Sequence, residues 1–194
     1  MTNPLFLFVG RSASGKSTIA NMLEEQYGYK QVQSYTTRPP RYSNETGHIF
    51  VSKEDFDKLE DIVAYVKYDG NEYCATSKQL DECDIYVIDP IGVETLFKNY
   101  KNTQRQICII FFDAAIKTRI DRMINRCDSD MEIVSRLYHD EEYDWFEKLH
   151  NVASKANRQN IKLFKVNSNV DKQDVFNNVV SCIIKRYVSE AQDQ

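Results

Sequence analysis

A short run near the N-terminus, Phe6–Thr18, carries the strongest chemical signal in this sequence. Within it, Gly10, Gly15, Lys16 and Ser17 match the pattern G-x-x-x-x-G-K-[ST] at every defined position. In such a loop the backbone N–H groups surround a polyphosphate, the lysine reaches its outer phosphates, and the hydroxyl binds Mg²⁺. The sequence therefore predicts that the chain binds a nucleoside triphosphate.

The residues on either side of this loop predict the two elements that must position it. The run 5–9 is apolar and typical of a buried strand, and 18–27 has apolar residues at helical spacing. A helix that begins at the loop directs its first N–H groups and the positive end of its dipole at the phosphates. The residues expected to bind the nucleoside triphosphate are Gly10, Arg11, Ser12, Ala13, Ser14, Gly15, Lys16, Ser17 and Thr18, with Ser17 as the Mg²⁺ ligand.

A second group of candidate phosphate ligands begins about twenty residues later, at Ser34–Arg41. Arg38 and Arg41 are separated only by Pro39 and Pro40, which restrict the backbone between them. Two arginines held in this way can bind one phosphate through paired hydrogen bonds. Two phosphate sites imply two phosphorylated substrates, whereas a hydrolase needs only one, so the pattern favours phosphoryl transfer.

Composition and charge argue against several other classes of protein. The net charge of −4 provides no broadly basic surface for nucleic acid, and no apolar run is long enough to span a membrane. The five cysteines are odd in number and lack C-x-x-C spacing, which argues against a disulfide framework and a zinc site. We therefore expect a cytoplasmic protein with reduced thiols that binds neither nucleic acid nor membranes.

Strand-like and helix-like segments alternate along the 194 residues, which predicts an α/β fold with a mainly parallel central sheet. The strands predicted for this sheet are 5–9, 30–34, 84–89, 106–112 and 161–166. The helices predicted around it are 18–27, 93–100, 115–125, 131–156 and 171–191. The acidic run 140–142 is typical of a solvent-exposed helix face.

The segment 34–80 has a different pattern and predicts a small, partly antiparallel insert. The elements predicted within it are a turn-rich stretch at 36–47, a helix at 52–59 capped by Ser52 that 49–52 leads into, and strands at 62–68 and 72–76. Asp69-Gly70-Asn71 between the last two strands is typical of a hairpin turn. The predicted division is a nucleotide-binding core at 1–33 and 81–194, interrupted by the insert.

In their order and spacing, these motifs resemble those of guanylate kinases over roughly residues 5–180, most strongly up to residue 93. The motifs are Gly10–Thr18, Ser34–Arg41, Gly47 with Phe50-Val51-Ser52 and Phe56, Asp69–Tyr73, Ile88-Asp89 with Gly92-Val93, and Arg119–Arg126 followed by Ile133–Leu137. The resemblance implies a three-layer P-loop NTPase fold, a nucleoside monophosphate (NMP) domain at 34–80 and a mobile helical lid near 123–137. It implies ATP and an NMP as partners, with Mg²⁺.

The resemblance also implies roles for individual residues. The acceptor-binding residues are Ser34, Arg38, Arg41, His48, Tyr73 and Asp89, with His48 standing where the family has a tyrosine. Lys16, Arg126 and Arg136 are the catalytic residues, and the two arginines close over the transferring phosphoryl group. Other roles stay open: Arg126 and Arg136 lie among acids and could form surface ion pairs, and Asp89 could cap a strand end. Arg38 and Arg41 could be solvated turn residues, and His48 could be a turn residue that binds no ligand.

The sequence departs from guanylate kinases where the family reads the base. Ala64 stands in place of a guanine-reading glutamate, Ala75 in place of a small hydroxyl residue, and Val87 in place of an acid. A site without such groups discriminates weakly between bases, so poor selectivity for GMP is expected. The acceptor base, the sugar and the oligomeric state stay open.

Two alternative functions also remain. The first is a kinase for another (deoxy)nucleoside monophosphate or another phosphorylated small molecule. The second is a non-catalytic module that binds a phosphorylated partner, although such a module has no use for the intact Lys16-Ser17 pair.

Overall fold

The computed structural model describes residues 4–41, 43–102, 104–141, 144–156 and 161–184. In chain order its elements are β1 (Leu5–Val9), α1 (Lys16–Tyr27), β2 (Ser34–Thr36), β3 (His48–Phe50), α2 (Lys53–Phe56), β4 (Ile62–Tyr68), β5 (Asn71–Thr76), α3 (Ser77–Glu82), β6 (Ile85–Val87), α4 (Pro90–Asn99), β7 (Ile107–Asp113), α5 (Ile116–Asn125), α6 (Asp130–Asp140), α7 (Trp145–Lys155), β8 (Ile161–Asn167), α8 (Lys172–Asn178) and a π-helical turn at Val179–Ile184.

The core sheet has the strand order β6-β1-β7-β8, and all of its pairings are parallel. Every residue of β1 is buried, and its side chains alternate between two hydrophobic clusters. One cluster includes residues of α4 and α7, and the other includes residues of α1 and α8. A parallel sheet covered by helices on both faces confirms the predicted α/β fold.

A second sheet, of order β3-β2-β5-β4, is mixed and lies entirely within the segment 34–80. Strands β2 and β3 are parallel, whereas the other pairings are antiparallel. Asp69 and Gly70 both have positive φ, as a two-residue turn between β4 and β5 requires. Ser52 caps α2 by accepting a hydrogen bond from the N–H of Asp55, although this helix ends earlier than predicted.

The structure corrects the predicted strand at 30–34. Only Gln31 forms a bridge to β6 of the core sheet, and the regular strand begins at Ser34 and pairs within the second sheet. The chain therefore passes from one sheet to the other at Gln33. The helix α3 was not predicted, although Thr76 and Gln79 form a capping box at its start.

The predicted helix at 131–156 is in fact two helices. Helix α6 ends at Asp140, and α7 begins at Trp145 with Asp144 accepting a hydrogen bond from the N–H of Glu147. The predicted helix at 171–191 is observed as α8 and the π-helical turn, and residues 185–191 lie outside the described part of the chain.

Four cysteines of the described residues are free thiols: Cys74, Cys83, Cys108 and Cys127. The side chain of Cys182 lies outside the described part. Among the helices that the structure describes, none has the length and apolar character needed to cross a membrane.

Candidate active site

The predicted phosphate loop connects β1 to α1 and depends on two glycines. A Cβ atom on Gly10 would lie 2.7 Å from the carbonyl oxygen of Phe112, so the loop can approach β7 only without a side chain there. Gly15, at the N-cap of α1, has φ 97°, in the left-handed region that glycine adopts without strain. These two positions fix the turn that directs the first N–H groups of α1 into the loop.

The Lys16 ammonium lies inside this loop. Its Nζ donates hydrogen bonds to the carbonyl oxygens of Gly10 (2.6 Å) and Arg11 (2.9 Å) and to the hydroxyl of Ser14 (3.4 Å). Loss of hydration there lowers the pKa of Lys16 from 10.5 to about 8, although the charge of Asp140 acts in the opposite direction. A weakly hydrated ammonium at this position is well placed to bind a phosphate that enters the loop.

The pKa of Lys16 leads to a pH prediction. We expect kcat/KM for ATP to fall as the pH rises through about 8, because the free enzyme then loses the ammonium charge. The pH profile of kcat/KM between about pH 6 and 9.5 measures this loss. A Lys16→Arg variant with residual activity should lack the fall, since arginine stays protonated. A flat wild-type profile would contradict the assignment.

A groove beside the loop, here called the triphosphate groove, has a volume of about 360 Å³. Its lining residues are Ala13, Gly15, Lys16, Ser17, Thr18, Ile19, Arg122, Arg126, Ser168, Lys172 and Val175. Arg122 donates to the carbonyl oxygens of Ala13 (3.2 Å) and Ser168 (2.7 Å), and the Ser168 hydroxyl donates to the carbonyl oxygen of Ser14 (2.6 Å). Sequence reasoning missed Arg122 and Ser168, because no local motif marks them.

The second predicted phosphate site lies on β2, β3 and β5. Ser34 and His48 are register partners, and Ser34 Oγ lies 2.8 Å from His48 Nδ1. The Tyr73 ring packs edge-on against the His48 ring at 5.7 Å. Burial and the charge of Arg38 lower the pKa of His48, which therefore stays neutral near pH 7.

A carboxylate that was not predicted, Glu45, holds the two arginines of this site. Arg38 donates to it from both terminal nitrogens (2.8 and 3.2 Å), and the backbone N–H of Arg41 donates at 2.6 Å. Burial alone would raise the pKa of Glu45, but these hydrogen bonds outweigh it and lower that pKa. The carboxylate therefore stays ionised and fixes the guanidinium of Arg38.

Both phosphate sites open into one cleft of about 590 Å³, here called the acceptor cleft. Residues of the phosphate loop that line it are Gly10, Ser12 and Lys16, and residues of the second site are Ser34, Arg38, Arg41, His48 and Tyr73. Asp89, Arg136 and Asp140 also line it. The structure thus brings together residues that are widely separated in the sequence and were assigned to two different phosphates.

The predicted lid arginines share one carboxylate. Arg126 donates to both oxygens of Asp128 (2.7 and 2.5 Å), and Arg136 Nε lies 3.4 Å from the same side chain. The hydrogen bonds from Arg126 hold the pKa of Asp128 below its usual value. Arg126 lines the triphosphate groove and Arg136 lines the acceptor cleft, so the ion pairs form at the edge of both sites.

Asp89 forms a cap and also lines the acceptor cleft, and its role in binding the acceptor stays a prediction. Its carboxylate caps α4 by accepting a hydrogen bond from the N–H of Gly92 at 2.7 Å, and the residue lines the acceptor cleft. Burial raises the pKa of Asp89, although the N–H groups of Gly92 and Ile91 and the charges of two lysines oppose the rise.

The prediction of a solvated face at 140–142 is wrong for Asp140, which is only 3% exposed. Asp140 accepts hydrogen bonds from the N–H of Ser12 (2.9 Å) and from Arg119 (2.8 Å), and Arg119 is 1% exposed. Arg11 donates to the carbonyl oxygen of Asp140 at 3.0 Å. The end of α6 therefore lies against the phosphate loop rather than in solvent; Glu142 lies outside the described residues.

The two alanines that stand, by the resemblance, where base-reading residues were expected are fully enclosed. Ala64 on β4 and Ala75 on β5 are register partners, 1% and 0% exposed, within the hydrophobic cluster of α4 and α7. Val87 lines the acceptor cleft. A larger polar side chain at either alanine would have to displace part of this cluster.

Comparisons with known proteins show which proteins this chain resembles in sequence. No protein-family model matches the chain. The guanylate kinase of Fusobacterium nucleatum is 28% identical over 138 residues, 67% of this chain and 74% of that protein. The guanylate kinase of Bartonella quintana is 28% identical over 142 residues, 68% of this chain and 63% of that protein.

A solved structure extends the comparison to the fold. The crystal structure of guanylate kinase from Anaplasma phagocytophilum matches with a TM-score of 0.54 and 15% identity, and covers 95% of this chain and 86% of that one. This likeness shows that the chain has the fold of that protein. The resemblance to guanylate kinases that the motifs predict is confirmed.

Proposed function

We propose that this chain, which resembles guanylate kinases in sequence and fold, is an ATP-dependent nucleoside monophosphate kinase. It transfers the γ-phosphoryl group of ATP to GMP, dGMP or a related NMP and forms ADP and a nucleoside diphosphate. The observation that carries the proposal is the acceptor cleft, in which the phosphate loop and the Arg38–Arg41 site face one space. A hydrolase needs only the first of these sites.

The proposal assigns a role to each group of residues, and their positions in the cleft support it. The loop N–H groups and Lys16 bind the β- and γ-phosphates, and Arg38, Arg41 and Tyr73 hold the acceptor phosphate opposite them. Arg126 and Arg136 neutralise charge that develops on the transferring oxygens. The acceptor phosphate is itself an ionised nucleophile, so the transfer needs positioning and charge stabilisation rather than a strong base.

The residues present fit Mg²⁺ bound mainly through the nucleotide. Among the described residues there is no group of three or more His, Cys, Asp or Glu that could hold a metal ion. Mg²⁺ commonly keeps several waters and takes one or two protein ligands together with phosphate oxygens. Ser17, at the first turn of α1 in the triphosphate groove, would supply its hydroxyl, and the bound ion would neutralise charge on the β- and γ-phosphates.

The division between the two sites is tested by Arg41→Ala. We expect the acceptor KM to rise about tenfold or more and the ATP KM to stay unchanged, because loss of a charge-assisted contact costs about 1.5–3 kcal/mol. The backbone N–H that donates to Glu45 is retained in this variant. The matched control is Lys58→Ala, an exposed lysine of the same insert. A rise in the ATP KM alone would contradict the assignment.

The function is tested by coupled detection of ADP with ATP, Mg²⁺ and each common NMP and dNMP. We expect ADP formation to depend on at least one acceptor and to be small without one. Acceptor-independent ADP release would indicate a hydrolase, and acceptor binding without ADP would indicate a binding module. The domain division, the lid at 123–137 and a cytoplasmic location stay predictions.

A further inference from the structure

A buried tyrosine, Tyr86, lies in the wall of the acceptor cleft. Tyr86 lies on β6 of the core sheet and is 5% exposed, yet it lines the cleft. Its hydroxyl makes no hydrogen bond to any residue that the structure describes. Buried tyrosine hydroxyls usually have a hydrogen-bond partner, so this group is a candidate for contact with a ligand.

The cleft residues that cluster with Tyr86 are hydrophobic. Ile88 and Trp145 line the same cleft and are 8% and 9% exposed, and both belong with Tyr86 to one hydrophobic cluster. Tyr86, Ile88 and Trp145 therefore form an apolar and aromatic part of the cleft wall, which suits the face of a nucleobase.

We infer that the Tyr86 hydroxyl reads the base of the acceptor nucleotide. The inference rests on the proposed function and specifies how that site recognises its substrate. The Arg38–Arg41 site fixes the phosphate of the acceptor, and Tyr86 contacts the base in the same cleft.

A tyrosine hydroxyl imposes a particular kind of recognition. Burial raises the pKa of Tyr86, as does the nearby charge of Asp89, so the group stays protonated and neutral. A phenol can donate to a carbonyl oxygen or ring nitrogen of a base, and it can accept from an N–H group. Because it can pair with either type of edge, the site accepts nucleoside monophosphates with more than one base.

The first test is Tyr86→Phe, which removes the hydroxyl and keeps the ring. We expect kcat/KM for the best NMP to fall at least about fivefold, with the ATP KM unchanged, because a polar atom of the base is left unpaired. Tyr29→Phe, a ring that packs on Phe6 outside both sites, is the matched control. Unchanged acceptor kinetics in Tyr86→Phe would overturn the inference.

A ligand that lacks a base distinguishes loss of base recognition from a general effect of Tyr86→Phe on the fold. Ribose 5-phosphate, measured as a competitor of the NMP, should inhibit the wild type and Tyr86→Phe with the same Ki. An equal loss for ribose 5-phosphate and the NMP would mean that the hydroxyl only supports the fold, and would overturn the inference.

The wild-type substrate range completes the test. We expect GMP, AMP, CMP and UMP to differ in kcat/KM by less than about a hundredfold, and a preference of several thousandfold for one base would overturn the inference. If no NMP is phosphorylated, the proposed function fails. Calorimetric titration of the wild type and Tyr86→Phe with each NMP then decides the inference alone: weaker binding by the variant supports it, and equal or absent binding overturns it.

Discussion

Replacing Lys16 by alanine is expected to abolish phosphoryl transfer while the fold is retained. Among the described residues, the Lys16 ammonium donates hydrogen bonds only to groups of the phosphate loop. These are the carbonyl oxygens of Gly10 and Arg11 and the hydroxyl of Ser14. Loss of one such electrostatic contact to the transition state typically costs about 10²–10³ in kcat. Coupled detection of ADP measures the loss, and circular dichroism shows whether the fold is intact.

The matched control for this variant is Lys117→Ala. Lys117 lies on α5 and pairs with Asp121, and its side chain is 85% exposed. Removing it should leave kcat and both KM values close to those of the wild type. Near-normal turnover in a folded Lys16→Ala protein would refute the role of the loop in catalysis.

Replacing Asp140 by alanine is expected to lower the free energy of unfolding by about 3 kcal/mol, because the buried guanidinium of Arg119 loses its buried partner and keeps the half-exposed carboxylate of Glu141 at 2.7 Å. This is a large part of the total stability of an ordinary domain, about 5–15 kcal/mol. The N–H of Ser12 in the phosphate loop also loses its acceptor. Urea denaturation, with an unchanged slope, measures the loss.

Two further variants distinguish the buried pair from an ordinary ion pair. Asp121→Ala breaks the exposed pair with Lys117 and should cost less than about 1 kcal/mol. The double variant Arg119→Met with Asp140→Leu removes both charges and should recover most of the stability that Asp140→Ala loses. A cost below about 1 kcal/mol for Asp140→Ala would show that the pair is not desolvated in solution.

The features that sequence reasoning predicted correctly are those fixed by neighbouring residues. The phosphate loop is defined within Gly10–Ser17, and β7 is an apolar run that needs no partner to be recognised. The Asp69–Gly70 turn sets the register of β4 and β5 by its own backbone geometry. In each case the physical cause lies within a few residues of the effect.

The features that were missed depend on contacts between distant parts of the chain. Asp140 accepts a hydrogen bond from Ser12, which lies 128 positions away in the sequence, and Arg122 donates one to Ala13, which lies 109 positions away. An acidic residue at the end of a charged helix is most often exposed to solvent. The burial of Asp140 could not be predicted because it depends on the packing of the end of α6 against the phosphate loop. Strand β2 differs from its prediction for a similar reason, since pairing with β5 and β3 decides where the regular strand begins.

The single carboxylate of Asp128 serves as counter-ion for arginines at two binding sites. Arg126 faces the triphosphate groove and Arg136 the acceptor cleft, and both are held by that side chain. A phosphate that draws one arginine away leaves Asp128 to hold the other alone. In the proposed kinase, sharing of Asp128 would link the two nucleotide affinities thermodynamically, and such a linkage is reciprocal: ATP would change the affinity for the acceptor by the same factor as the acceptor changes the affinity for ATP.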